Sequence, residues 1–444
     1  MMSAIGRLAS LLAHSLAVAG FYAHSRVAFR VKVNGMSNFK RRPSTIIVTN
    51  HKRDADGGLL GSTLCSGRGL FTTNLTLHYV SRDDLFRVGF LSKYVLSSAP
   101  GIVRRPLRYV SVGGLMRLLR VKPIAYLSER TVGDTLVDIG ERMAQWSLDR
   151  VLTNHFLQHV REWAAVTERE GKRRLMTIRD SFRWPLWRAL QRVWDPRFYH
   201  VEAFAELKAT LRADIRQQIA MLASLLREGQ SLFITPEGML SKSGALGRIR
   251  YGLCQVIRDS GVKVRLLPVF VTYDWMTTRR TTAFVEVGAE VEGAERMSPK
   301  ELNALVRERL RALGTITMGN LACAYILRCH GLSVSQVGLD ELRERLFSLA
   351  NDLARKGFRV DKRLRDRSDF DRCFEGFLGF CKKKGVVQVS SVPESSFDFA
   401  QDKPSAGRFA LVASWLPDRS LSYGQKEFEE IAPQYAFEAE PQPA

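Results

Sequence analysis

A histidine, an aspartate and a distant glutamate carry the chemistry legible in this chain. His51 follows Asn50 at the end of a β-branched run, Thr45 to Thr49. Asp56 comes five residues after His51 and just ahead of Gly57-Gly58. A carboxylate bonded to one ring nitrogen fixes the tautomer of an imidazole and stabilises the imidazolium. The other nitrogen is then a general base for a hydroxyl. Five residues of straight helix rotate by about 140°, so only a turn between strand and helix brings the two groups together. Asp54 competes with Asp56 for this role, and a surface loop with a hydrogen-bonded His gives the same local pattern. The second stretch is FITPEGMLSKSG at 233–244. There a strand breaks at Pro236-Glu237-Gly238 and enters a loop of Ser, Lys and Gly that suits an anion-binding rim.

One further constellation has metal-ligand spacing. His155 and His159 stand at i and i+4 on a helical stretch, with Glu162 nearby. The order lacks the H-E-x-x-H arrangement, and the pattern reads as a helix face with two ordinary histidines.

The elements that must position these groups alternate. Val27 to Val33 reads as a strand, Asn34-Gly35 as a turn, and Ser44 to Thr49 as the strand ending on His51. Residues 75–96 give a short strand and an amphipathic helix. Ile124 to Leu127 is a short apolar run after Pro123. Residues 135–228 read as mostly helical, and Gly229 caps the helix over 201–228. Strand 231–235 precedes Glu237, and a helix covers 253–259. Pro268 demotes the run Val264 to Val271 to an edge strand or a strand boundary. Thr282 to Val287 alternates. Ser298-Pro299-Lys300-Glu301 is a helix start with Ser at N-cap, Pro at N1 and Glu at N3. More helices follow at 318–329, 338–356 and 369–384. Phe370, Cys373, Phe374, Phe377 and Cys381 share one stripe of the last. From about 392 the composition turns Ser-, Pro- and acid-rich, which predicts poor order apart from a short strand within 408–415. Strand and helix alternate through the first three hundred residues, which predicts an α/β sheet.

With 444 residues the chain has room for two or three domains, or one with an insertion. Its 67 basic against 45 acidic residues, net +22, imply an anionic partner. Residues 103–122 hold Arg104, Arg105, Arg108, Arg117, Arg120 and Lys122 with no acid. Between 179 and 199, Trp184, Trp187 and Trp194 alternate with arginines, which fits a packed helix, a membrane interface or, less well, stacked bases. No recognisable nucleic-acid module accompanies the charge, and no nucleic-acid partner is expected. The six cysteines include no C-x-x-C pair, so no zinc or redox motif appears. Their scatter suggests reduced thiols in a cytoplasmic compartment. Residues 4–23 are apolar but interrupted by Arg7 and His14. They suit a helix lying on a bilayer surface better than a packed helix or a full span.

The two blocks together resemble the glycerol-3-phosphate and lysophosphatidate acyltransferase family. Its first block is N-H-x4-D, here NHKRDAD at 50–56; its third is F-x-E-G-x-R-S-x-x-G, here FITPEGMLSKSG. The lead-in FRVKVNGMSNFKRRPSTIIVTNH, the run LLPVFVTYD at 266–274 with Pro268, and Arg248-Ile-Arg250-Tyr-Gly252 resemble further family features in order. Where the family has Thr-Arg after the block-three glycine, this chain has Met239-Leu240. The family's second block has no clean counterpart; Arg120 is the first candidate for its arginine and Arg130 the second.

The resemblance implies a mixed α/β acyltransferase-type sheet over 25–296, with a helical insertion at about 135–228. A membrane-associating helix at 1–24, a helical region at 297–385 and a largely disordered tail at 386–444 complete the expected organisation. It implies transfer of a fatty acyl group from acyl-CoA or acyl carrier protein to glycerol 3-phosphate or lysophosphatidate in phospholipid biosynthesis. His51 would be the base and Asp56 its partner. Glu237 and Gly238 would shape the acceptor site, and Arg120, Lys242, Arg248 and Arg250 would hold the phosphate. No metal or cofactor is expected. The expected partners are an anionic membrane surface, the acyl donor and the phosphorylated acceptor, with the protein peripheral or monotopic on the cytoplasmic face. The degenerate third block also admits a non-catalytic, lipid-binding protein of the same fold.

Overall fold

A computed structural model describes residues 4–40, 42–66, 77–86, 90–91, 107, 110–125, 131–136, 146–158, 190, 194–241, 243–331, 338–386, 388–391, 409–412 and 419–433. The fold is mixed α/β. Its strands are β1 (Arg30–Asn34), β2 (Thr45–Thr49), β3 (Leu77–Arg82), β4 (Val121–Ile124), β5 (Ser231–Ile234), β6 (Arg265–Asp274) and β7 (Thr282–Val287). They form one seven-stranded sheet in the order β1-β7-β6-β2-β5-β3-β4. Helices α1 (Ala4–Ala28), α2 (Asp56–Ser66), α3 (Val201–Arg227), α4 (Gly252–Ser260) and α5 (Pro299–Arg311) accompany it. After α5 come α6 (Met318–Gly331), α7 (Leu339–Arg355), α8 (Arg367–Lys384), the antiparallel pair β8 (Gln388–Ser391) and β9 (Phe409–Val412), and α9 (Arg419–Ile431).

Strand β2 lies between β6 and β5 and runs parallel to both. Every residue of TIIVT is buried, as a strand covered on both faces requires. Ile46, Ile47 and Val48 each contribute about 1.5–3 kcal/mol by leaving water. Val48 sits opposite Ile234 of β5, and Thr49 opposite Val269 of β6. The loops after β2 and β5 therefore leave the sheet side by side at the same end. That register carries residues nearly two hundred positions apart into one place.

Three local expectations need correction. Strand β1 begins at Arg30, because α1 continues through Ala28 and the Phe29 amide closes its last turn on the Ser25 carbonyl at 2.8 Å. Strand β6 is interior, not an edge. Its Pro268 is tolerated because its carbonyl accepts from Gly288 N, toward β7, one residue before the first β6–β7 pair at Val269. The missing N–H thus falls just off the end of that ladder. Pro123 lies within β4, the strand at the end of the order.

The chain divides into two compact units. One comprises 1–79, 118–120 and 225–444; the other 80–117 and 121–224, a wider stretch than the insertion expected at 135–228. The second unit has its own core, including Val132, Leu148, Phe156, Tyr199 and Leu207. Within it the Tyr199 hydroxyl bonds the Thr135 hydroxyl. Trp184, Trp187, His159, Glu162, Arg104, Arg105, Arg108 and Arg130 lie outside the described residues.

In the first unit, Ser298 caps α5 with a full capping box. The Phe370, Cys373, Phe374, Phe377 and Cys381 stripe of α8 is buried. All six cysteines are buried, and none forms a disulfide. The short strand expected within 408–415 is β9, and the tail expected to be largely disordered also holds β8 and the helix α9. On α9, Leu421, Phe428 and Ile431 are buried with α6 and α8 in one core. Its acids, which weighed toward disorder by composition, are paired instead with Lys52, Arg307 and Arg311. No described helix is long and apolar enough to cross a membrane.

Candidate active site

The site is built where β2 ends. Asn50 extends the ladder with its side chain: Nδ2 donates to Val271 O at 2.9 Å, and Oδ1 accepts from Val271 N at 2.8 Å. The backbone is thereby fixed to β6 just before it turns. The turn 51–55 then leads into α2, whose first residue is Asp56. Gly58 lets α2 approach α1, since a Cβ there would press on the Phe21 ring at 2.6 Å.

His51 Nδ1 is 3.3 Å from Asp56 Oδ2. The Asp56 side chain has no exposure, whereas that of His51 is 23% exposed. Only one side of the pair can be reached from solution, and it is the imidazole. Donors surround the carboxylate. Its Oδ2 accepts from Lys52 N at 2.5 Å and Arg53 N at 2.8 Å, and its Oδ1 accepts from the Tyr273 hydroxyl at 2.5 Å. A carboxylate so held cannot swing, and with Nδ1–H donating to it the ring presents Nε2 outward. Asp54 is not the partner.

Glu237 meets the same residue from the β5 side. Its Oε1 accepts from His51 N at 3.0 Å, and its Oε2 from Gly247 N at 2.5 Å. The His51 carbonyl in turn accepts from Ser241 N at 2.7 Å. Both backbone polar groups of His51 are thus satisfied by the loop after β5. Burial pushes the Glu237 carboxyl above its ordinary range, against the pull of the Gly247 and His51 amides. Gly238 takes φ 70°, a left-handed conformation that suits glycine.

Cations pack around the turn. Arg53 lies over the Tyr273 ring, 4.6 Å from its centroid. The Lys52 ammonium is buried against the Glu427 carboxylate of α9 and lies 5.0 Å from the centre of the Phe270 ring. Burial pulls Lys52 down to about 7, opposed by Glu237, Asp56 and Glu430. Burial first, and then Asp56, raise the Tyr273 phenol well above its ordinary range.

No protein-family model and no curated protein matches this chain. Among solved structures it is similar to that of the 1-acyl-sn-glycerophosphate (LPA) acyltransferase, PlsC, from Thermotoga maritima. The two share 13% identity over 67% of this chain and 75% of that one, with a TM-score of 0.32. A likeness of that size says nothing about activity.

Of the residues singled out in the sequence, His51, Asp56, Glu237 and Gly238 come together. Arg250 is tied to the same loop: its amide donates to Pro236 O at 2.8 Å and its Nε to Glu237 O at 3.4 Å. Its Nη2 donates to Met239 Sδ at 3.8 Å, and both Arg250 and Arg248 are exposed. Lys242 lies outside the described residues. Arg120 has φ 63°, its carbonyl accepts from Tyr79 N, and its guanidinium Nε is buried with no partner. Burial, and then Arg120, hold His14 of α1 down at about 4. Of the residues in the metal-like triplet, only His155 is described, and it is exposed.

Three contributors escaped the sequence reading: Tyr273, Lys52 and α9. Tyr273 stands at the far end of the LLPVFVTYD run, at the same parity as Val269 and Val271. That alternation was the available signal. Leu421, Phe428 and Ile431 recur at helical spacing, a signal masked by the surrounding composition.

Proposed function

We propose that this chain is an acyltransferase, moving a fatty acyl group from a thioester to the hydroxyl of a glycerol-phosphate-type acceptor. One observation carries the reading: His51 is bonded through its ring to buried Asp56 and through its backbone to Glu237, uniting the two motif blocks at one imidazole. In this scheme His51 Nε2 takes the proton of the acceptor hydroxyl, and Asp56 stabilises the imidazolium. The acceptor oxygen attacks the thioester carbonyl. The tetrahedral adduct then collapses, the C–S bond breaks, and the leaving thiolate takes the proton back from His51. Acyl-CoA or acyl carrier protein supplies the thioester, and glycerol 3-phosphate or lysophosphatidate the hydroxyl. No metal ion takes part in these steps.

Arg250 and Arg248, exposed beside the Glu237 loop, are described cations suited to the acceptor phosphate, with Lys242 ahead of both in sequence. Arg120 drops out of this role, because its guanidinium is half-buried beside His14. We place the protein on an anionic membrane surface at the cytoplasmic face. Helix α1 turns Leu8, Leu12 and Leu16 outward while Ser10, His14 and Val18 are buried. An outward leucine stripe at i, i+4 and i+8 on a chain of net +22 suits lipid contact.

Met239 and Leu240, where the family has Thr-Arg, favour a second reading as a non-catalytic lipid-binding protein. One experiment separates the two. Purified wild type and His51→Ala are incubated with labelled acyl-CoA or acyl carrier protein and a panel of glycerol phosphates and lysolipids. Transfer that His51→Ala abolishes supports the enzyme. Binding to anionic vesicles without transfer to any acceptor supports the second reading.

A further inference from the structure

Helix α9 follows the sheet by more than a hundred residues, yet it reaches the candidate site. One side of it is anchored on the helical region. Arg307 and Arg311 of α5 hold Glu430 at 2.9 and 2.5 Å, and Asn320 of α6 donates to Gly424 O at 3.3 Å and Glu427 Oε2 at 3.1 Å. The close approach to α6 depends on Gly424, where a Cβ would lie 2.9 Å from Cys323 Sγ. The other side touches both loops that hold His51. Glu427 pairs with the ammonium of Lys52, the residue next to His51. The Tyr423 carbonyl lies where a Cβ on Gly244 would stand, so α9 also rests on the loop after Glu237. Arg307 joins the same loop by donating to Leu246 O at 3.0 Å.

Lys52 is therefore pinned at both ends. Its amide is bonded to Asp56 Oδ2 at 2.5 Å, and its ammonium is bonded to α9. Glu427 is the carboxylate in contact with this buried ammonium, and an unpaired buried charge is strongly unfavourable. We propose that α9 is a working part of the His51 site, with Glu427 a positioning residue that acts through Lys52 to hold the His51–Asp56 turn. Tyr423 fits this placement: burial, and then the charges of Asp56 and Glu237, raise its phenol well above the ordinary range. The inference rests on the acyl-transfer reading for its kinetic arm only.

The test uses the full chain as wild type, Glu427→Leu, Glu427→Gln and the double variant Lys52→Met/Glu427→Leu. Hydrogen exchange is followed over peptides covering 50–58 and 45–49, and acyl transfer is measured beside it. In Glu427→Leu the amides of Lys52 and Arg53 exchange about tenfold faster while those of β2 stay protected. The double variant, which removes both charges, regains most of that protection. Transfer by Glu427→Leu shows kcat lowered about tenfold with KM little changed, the mark of a displaced base rather than lost binding. Should Glu427→Leu expose β2 as well, Glu427→Gln, which keeps a hydrogen-bond acceptor, is compared by the same exchange and shows a smaller loss confined to 52–53. Unchanged exchange at 52–53 in both single variants overturns the proposal. So does faster transfer without Glu427, which would make α9 a cover that must leave. If no protein transfers acyl groups, the enzymatic reading fails, and the exchange result still decides the role of Glu427.

Discussion

Replacing Tyr273 by Phe tests the geometry of the carboxylate at its least obvious point. The phenol donates to Asp56 Oδ1 at 2.5 Å, and both side chains are buried. The other oxygen, Oδ2, keeps its two backbone donors and His51. Phenylalanine thus removes one charge-assisted bond and leaves one acceptor oxygen without its phenol donor, while orphaning no donor. Such a bond contributes about 1.5–3 kcal/mol, so the variant is less stable by about 2 kcal/mol, roughly thirtyfold in the unfolding constant. Because Oδ2 still fixes the imidazole, transfer falls only about tenfold, well short of the loss of a general base. The difference also has a pH signature. Tyr273 is raised in the folded state, so above about pH 10 the unfolded chain ionises this tyrosine and the folded one does not. Wild type then loses stability relative to the variant by about 1.4 kcal/mol per pH unit, and the gap narrows. Urea unfolding of both proteins at pH 8 and across pH 9–11 reads both effects. Equal midpoints at pH 8, or a gap that widens with alkalinity, would refute the bond and the argument built on it.

Glu237→Gln leaves a single carbonyl oxygen for two backbone donors, so one of the His51 and Gly247 amides loses its partner. It is expected to cost about 1–3 kcal/mol in chemical denaturation and to lower transfer. Gly244 has φ 87° and faces the Tyr423 carbonyl, so Gly244→Ala should destabilise by more than about 1 kcal/mol and increase hydrogen exchange in α9. Ser298→Ala removes the hydroxyl that accepts from Glu301 N and should cost about 1 kcal/mol in thermal unfolding with transfer unchanged.

The sheet was legible because its strands announce themselves. TIIVT is a continuous β-branched run, as suits a buried parallel strand, and the Ser298 cap carries its own chemistry. The meeting of His51 with Glu237 was legible only through the motif blocks; its cause is the parallel register of β2 and β5, which no local pattern encodes. Pro268 misled because a proline's cost depends on which neighbour its nitrogen faces, and here that neighbour ladder has not yet begun. A cationic run says nothing of which guanidinium turns inward, and that of Arg120 lies beside His14. Composition misjudged α9, since paired acids count toward disorder in a sum yet stabilise a helix when Lys52, Arg307 and Arg311 face them.

The most direct test of the account is the transfer of labelled acyl groups from acyl-CoA or acyl carrier protein to glycerol 3-phosphate and lysophosphatidate by wild type and His51→Ala. His51 is partly exposed, and without its ring Asp56 keeps three donors, Lys52 N, Arg53 N and the Tyr273 hydroxyl, so the variant should fold, which unfolding curves will check. The account predicts transfer by wild type and a fall of about 10²- to 10⁴-fold in His51→Ala. A folded His51→Ala that transfers at the wild-type rate would contradict it.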